Sequence, residues 1–273
     1  MKRLAIIAAA LLAILPAKAQ ITQDLDFIDY LLGNNLSKDA LAWLRHKDYA
    51  PSDTLDYLKG LTFYTAGKLD LAAAEFEKVP NGSPYFEKSL LLGAVSHAYT
   101  GNYDSGLRLI SAYPDSELKS YGQAAFNLLR DDKAGYELAA KSFTYSDYSL
   151  AEGEKVFGNI YQSRFIDRQK SPALAAAMSA VLPGAGKWYA GRKDEGIVSL
   201  ITVGVFAGLT AENWIKKGPK DWRTIVFGTL GSLFYIGNIY GSYVSVGIYN
   251  DNLKNAQNST IVFNLHVPVR SRL

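Results

Sequence analysis

The residues best equipped for chemistry are Gly184, Gly186 and Lys187, the histidines His46, His97 and His266, and the acidic pair Asp131 and Asp132. A Gly-Lys pair invites a phosphate-binding loop. That loop needs an earlier glycine and a hydroxyl residue after the lysine, and Val181 and Trp188 stand there instead. Gly184 and Gly186 lack the third glycine of a dinucleotide-binding turn. The histidines are isolated and none lies in an H-E-x-x-H pattern. Asp131 and Asp132 read as a loop between helices. No Gly-x-Ser-x-Gly elbow is present, and cysteine is absent, which removes thiolate ligands, cysteine nucleophiles and disulfides. The expectation is a non-enzymatic chain with no catalytic, cofactor-binding or metal-ligating set. What the residues do must then follow from how their elements pack and partition.

Charge divides the chain. Residues 20–170 carry 16 basic and 21 acidic groups, and residues 171–273 carry 10 and 5. A mean hydropathy of −0.03 averages these unequal parts. A basic excess beside apolar segments points to a membrane surface, and no clustered basic face is present for nucleic acid.

The amino terminus reads as an address. Lys2 and Arg3 precede an apolar run over residues 4–15, Pro16 breaks it, and Ala17 and Ala19 place small residues before Gln20. This is the pattern of a secretory signal cleaved after Ala19, with a run shorter than the roughly 20 residues of a spanning helix. Residues 20–170 are then expected in the periplasm.

Within that region the pattern repeats at an offset of 34 residues. Gly67 meets Gly101, Asp70 meets Asp104, Ala72 meets Gly106, Phe76 meets Ile110 and Pro80 meets Pro114, while Gly60 meets Ala94. Small residues fall where helices would cross closely, and glycine falls where a turn needs a left-handed backbone. Gly60, Phe63, Gly67, Ala72, Phe76 and Pro84 resemble the tetratricopeptide repeat, a helix-turn-helix of this length. Gly135, Ala139 and Phe143 suggest a further, shortened repeat. The resemblance covers about residues 35–145 and implies an all-α solenoid that binds a protein partner in a groove.

From Ser171 the composition turns apolar. Residues 173–190 are interrupted at Pro183, Gly184 and Gly186. Residues 196–211 and 224–249 carry no charge, and the second stretch is long enough to span a bilayer. Two spans put the loop at 212–223, with Lys216, Lys217, Lys220 and Arg223, in the cytoplasm, as the positive-inside tendency asks; three spans would put it outside. Gly204 with Gly208, and Gly237 with Gly241, form two Gly-x-x-x-Gly pairs that would pack the hairpin or a homo-oligomer. Asn238 is expected to bond between helices.

Pro183, Gly184, Gly186, Tyr189 and Gly191 form a P-G-x-G-x-x-Y-x-G motif. It is similar to that of bacterial two-transmembrane-segment domains of uncharacterised function, over about residues 171–250. That resemblance implies a membrane hairpin and no established chemistry, and it often places Gln where Lys187 stands. Residues 251–273 form a tail in which Ile261, Phe263, Leu265 and Val267 alternate as in a strand before Pro268, with loose packing or disorder expected.

The sequence therefore predicts four parts: a signal peptide (1–19), a tetratricopeptide-like domain (20–170), a transmembrane helical hairpin with a broken first helix (171–250), and the tail. The expected role is a scaffold anchored in the bacterial inner membrane, contacting a protein partner and membrane lipid but no nucleic acid. The alternative is an accessory component of a transport or channel complex.

Overall fold

The computed structural model describes residues 24, 26–46, 49 and 51–271, so the expected signal peptide lies outside the described residues. The described residues are all-α, with no strand. They form two compact units. The first comprises residues through Asn159 together with those from Thr260 onward, and the second comprises Ile160–Ser259.

The first unit contains α1 (26–33), α2 (Ser37–His46), α3 (Asp53–Thr65), α4 (Leu69–Phe76), α5 (Phe86–Thr100), α6 (Tyr103–Ser111), α7 (Ser116–Leu129), α8 (Lys133–Ala140) and most of α9 (Ala151–Tyr161). From α3 to α8 each helix packs on the next in sequence. The local reasons are legible. Ser52 and Asp115 accept hydrogen bonds from backbone N–H groups in the first turns of α3 and α7, and Asp132 does so for α8. Gly101 ends α5 at φ 80°, and Gly67 turns the chain between α3 and α4 at φ 71°. Helix crossings are set by missing side chains. A Cβ on Gly60 would lie 2.6 Å from the ring of Phe76, one on Gly106 would strike Phe126, and one on Gly122 would strike Ile110.

The second unit contains a π-helical turn (Gln162–Ile166), α10 (Pro172–Val181), the short α11 (Ala185–Tyr189), α12 (Lys193–Lys217) and α13 (Trp222–Ser271) as far as Ser259. Ser171 caps α10, whose first residue is Pro172, a position where its missing N–H costs nothing. Among the described helices one, α12, is long and apolar enough to cross a membrane by length and composition. Only 11% of its apolar window is buried, so Ile197, Val198, Ile201 and Val205 face outward. The uncharged part of α13 also turns Leu233, Ile236 and Tyr240 outward. It carries Ser232, Asn238, Ser242 and Ser245 as well, which lowers its hydropathy relative to the aliphatic run of α12.

The tail departs from the strand expectation. Residues 251–271 continue α13. Ile261, Leu265 and Val269, spaced by four, are each no more than 1% exposed, whereas Phe263 and Val267 are exposed. The buried set follows a helical period, and burial against the first unit overrides the β-preference of a Val/Ile/Phe-rich segment.

Candidate functional site

Two sites stand out, one in each unit. In the first, the end of α13 lies on α3, α5 and α7 through three tyrosines. The hydroxyl of Tyr64 is 2.7 Å from Nε2 of His266, and that of Tyr99 is 3.2 Å from Nδ1. Both tyrosine rings meet the imidazole edge-on. Tyr121 donates to the carbonyl oxygen of Asn264 at 2.9 Å. Burial, followed by the nearby Glu154 carboxylate, pushes the Tyr121 phenol well above its usual range, so it remains a donor at any ordinary pH. The face of α3, α5 and α7 thus receives an amphipathic helix whose buried side is Ile261, Val262, Leu265 and Val269.

In the second unit the site is the turn between α10 and α12. Pro183 follows the end of α10, and Gly184 takes φ 89°, where its Cβ would strike the carbonyl oxygen of Gly196. Gly186 packs equally closely on the carbonyl of Ala175. The freed backbone groups find side-chain partners. Gly184 N donates to Oδ1 of Asn238 at 3.0 Å, and Gly186 N donates to Oγ of Ser179 at 2.9 Å. Ser179 and Ser242 share a hydrogen bond at 2.7 Å, and Nδ2 of Asn238 donates to the Ser179 carbonyl at 3.3 Å. Tyr189 accepts from Ser171 N at 3.1 Å, and Gly191 turns the chain at φ 91°. Ser179, Asn238 and Ser242 are buried. The side-chain oxygens of Asn238 and Ser179 therefore hold the backbone N–H groups of a non-helical turn.

The glycine pairs are placed differently from one another. Nothing lies within 4 Å of where a Cβ would sit on Gly204, Gly208 or Gly237, and Gly241 faces the Lys187 side chain. The close approach of α12 and α13 falls instead at Gly231 against Phe206 and Gly228 against Thr210, with Phe206 stacked on Phe234. Of the repeat residues, Gly60, Gly106, Ala72, Phe76 and Ile110 lie at buried crossings, and Gly67 and Gly101 lie at turns. The histidines serve separate roles, since His97 bonds Glu77 at 2.7 Å and His266 lies between tyrosines. Among the described residues no group of three His, Cys, Asp or Glu side chains could hold a metal.

Sequence reasoning overlooked Tyr64, Tyr99, Tyr121 and His266 as one cluster. A recurrence was there to find, since Tyr64 and Tyr99 lie 35 residues apart, each one residue before the end of its helix, α3 or α5. No family model matches this chain, and neither the curated proteins nor the solved structures contain a match.

Proposed function

We propose that this chain is a non-catalytic scaffold, anchored in the bacterial inner membrane by the second unit as a helical hairpin with a broken first helix. Its first unit is a tetratricopeptide-like solenoid in the periplasm that binds a protein partner. The observation that carries the reading is the seat of the α13 end on α3, α5 and α7. A surface that takes an amphipathic helix by four apolar side chains and three tyrosine hydroxyls has the chemistry of a helix-binding groove. The outward apolar side chains of α12 support the anchoring, because an aliphatic surface of that extent is stable in lipid and costly in water.

Two measurements test the reading. The full chain should stay in the inner-membrane pellet after an alkaline carbonate wash, and release into the wash would remove the anchor. Affinity capture from detergent extracts should recover the same protein with the wild-type chain and, in larger yield, with Leu265→Asp, which frees the groove. Recovery of no specific protein by either form would count against a scaffold.

A further inference from the structure

The end of α13 meets its seat through two separable features. The first is apolar. Ile261, Leu265 and Val269 recur every fourth residue and are buried, whereas Phe263 and Val267 are exposed. The second is polar. His266 follows Leu265, and its two ring nitrogens lie 2.7 and 3.2 Å from the hydroxyls of Tyr64 and Tyr99. Both tyrosine rings stand at 87° to the imidazole. An imidazole with one N–H and one bare nitrogen can donate to one hydroxyl and accept from the other, and a phenol serves in either role. An aliphatic side chain at that position would leave both hydroxyls without this partner. The seat therefore reads an apolar row of period four and a ring nitrogen beside its middle member.

The stretch of α13 before the seat is held lightly. Residues 251–256 are all exposed, and so are Ser259 and Thr260. Asn255, Asn258, Ser259 and Thr260 are weak helix formers, because their short polar side chains compete for backbone hydrogen bonds. Gln257 and Asn258 accept from the Arg164 guanidinium at 3.1 and 2.9 Å. Ser259 and Thr260 thus lie between a polar anchor and the buried row, with no burial of their own. Opening the helix there gives up little apolar contact and releases residues 261–269 as a group.

We infer that the α13 end is a cis occupant of the helix-binding groove, and that the groove's partner is a helix of the same pattern, which displaces it. That helix has apolar residues at its first, fifth and ninth positions and a histidine at the sixth. The inference rests on reading the first unit as a helix-binding domain. A tethered occupant competes at an effective concentration on the order of millimolar. A free helix of this pattern therefore gains affinity when the tethered copy is spoiled, since the apparent Kd falls as the open fraction rises.

The probe is a fluorescein-labelled peptide of residues 255–271, its anisotropy read against the full chain in detergent. Leu265→Asp in the chain should tighten peptide binding by about tenfold or more relative to wild type. The same substitution in the peptide should abolish binding. His266→Leu in the peptide should weaken binding to the Leu265→Asp chain by about fivefold or more, and the difference should vanish when that chain also carries Tyr64→Phe and Tyr99→Phe. Hydrogen exchange of the wild-type chain needs no variant to fold. Residues 261–269 should lose protection when isotope-labelled peptide is in excess. Equal affinity of the two chains with native circular dichroism, unchanged protection in excess peptide, or a His266→Leu peptide that binds as well as the native one would each overturn the inference. Peptide binding with no protein captured from extracts would remove the scaffold reading and leave this inference standing. Capture of a protein by a chain that ignores the peptide would do the reverse.

Discussion

The hydroxyl of Tyr121 donates at 2.9 Å to the carbonyl oxygen of Asn264, the acceptor that Pro268, four residues on, leaves without a helical N–H. A proline inside a helix normally costs that bond. Here a buried phenol replaces it across 143 positions of sequence. Tyr121→Phe should destabilise the first unit by about 1–3 kcal/mol, because the half-buried carbonyl loses its donor. In a Pro268→Ala background, where residue 268 regains an N–H, the same change should cost far less. Chemical denaturation of the four forms measures the coupling, and additive effects would refute the compensation.

Glycines that face rings should be intolerant, and those that face nothing should not. Gly60→Ala must push into Phe76 and should cost about 1–3 kcal/mol of overpacking. Gly33, a helical residue with nothing within 4 Å of its Cβ position, should gain about 0.5–1 kcal/mol as alanine. Thermal unfolding of the two variants should shift in opposite directions.

The motif turn should behave as a unit. Gly184→Ala combines a positive φ with a collision on the Gly196 carbonyl, and at least about 1–3 kcal/mol should be lost through backbone strain alone. Asn238→Leu, which keeps the volume but leaves the Gly184 N–H without its acceptor, should cost a comparable amount. Unfolding in detergent reads both, and a neutral Asn238→Leu would show that the turn needs no polar clamp.

Glu154 gives a pH dependence. Its carboxylate accepts the N–H of Tyr145 at 2.8 Å, and Tyr145 holds a left-handed φ of 56°. Burial is the largest influence and raises its pKa above the ordinary carboxylate value. A raised folded-state pKa means that the folded form binds the proton more tightly. The stability it contributes is complete below the ordinary range and is lost as pH rises through the raised value. Glu154→Gln keeps an acceptor for Tyr145 and should flatten the fall in melting temperature as pH rises above the ordinary carboxylate range. Parallel slopes in the two proteins would exclude this residue as the source.

The legible parts of the fold are those set by local pattern. The all-α class follows from apolar spacing, and the turns at Gly67 and Gly101 follow from glycine placed where left-handed backbone is needed. Pro183 and Gly184 mark the break after α10 on the same grounds. The tail misleads because alternation over eight residues also contains a period of four, and Ile261, Leu265 and Val269 use the latter. Only burial against distant helices chooses between the two. The polar clamp is half legible: Asn238 is conspicuous in an apolar segment, but its partners, Gly184 N and the Ser179 carbonyl, are backbone atoms that no residue type advertises.

The clamp on Gly184 also fixes an order of events in biogenesis. Asn238 is made 54 residues after the glycine whose N–H it accepts, and Ser242 is made later still. While α10 and α11 emerge, the Gly184 N–H of the turn between them lacks its acceptor and cannot yet rest in a dry environment. Its final geometry waits for the first third of α13 to leave the ribosome, so a nascent chain arrested before residue 238 should hold this segment in water or against a chaperone. Maturation of the unit is then timed by its last helix, whichever helix enters first.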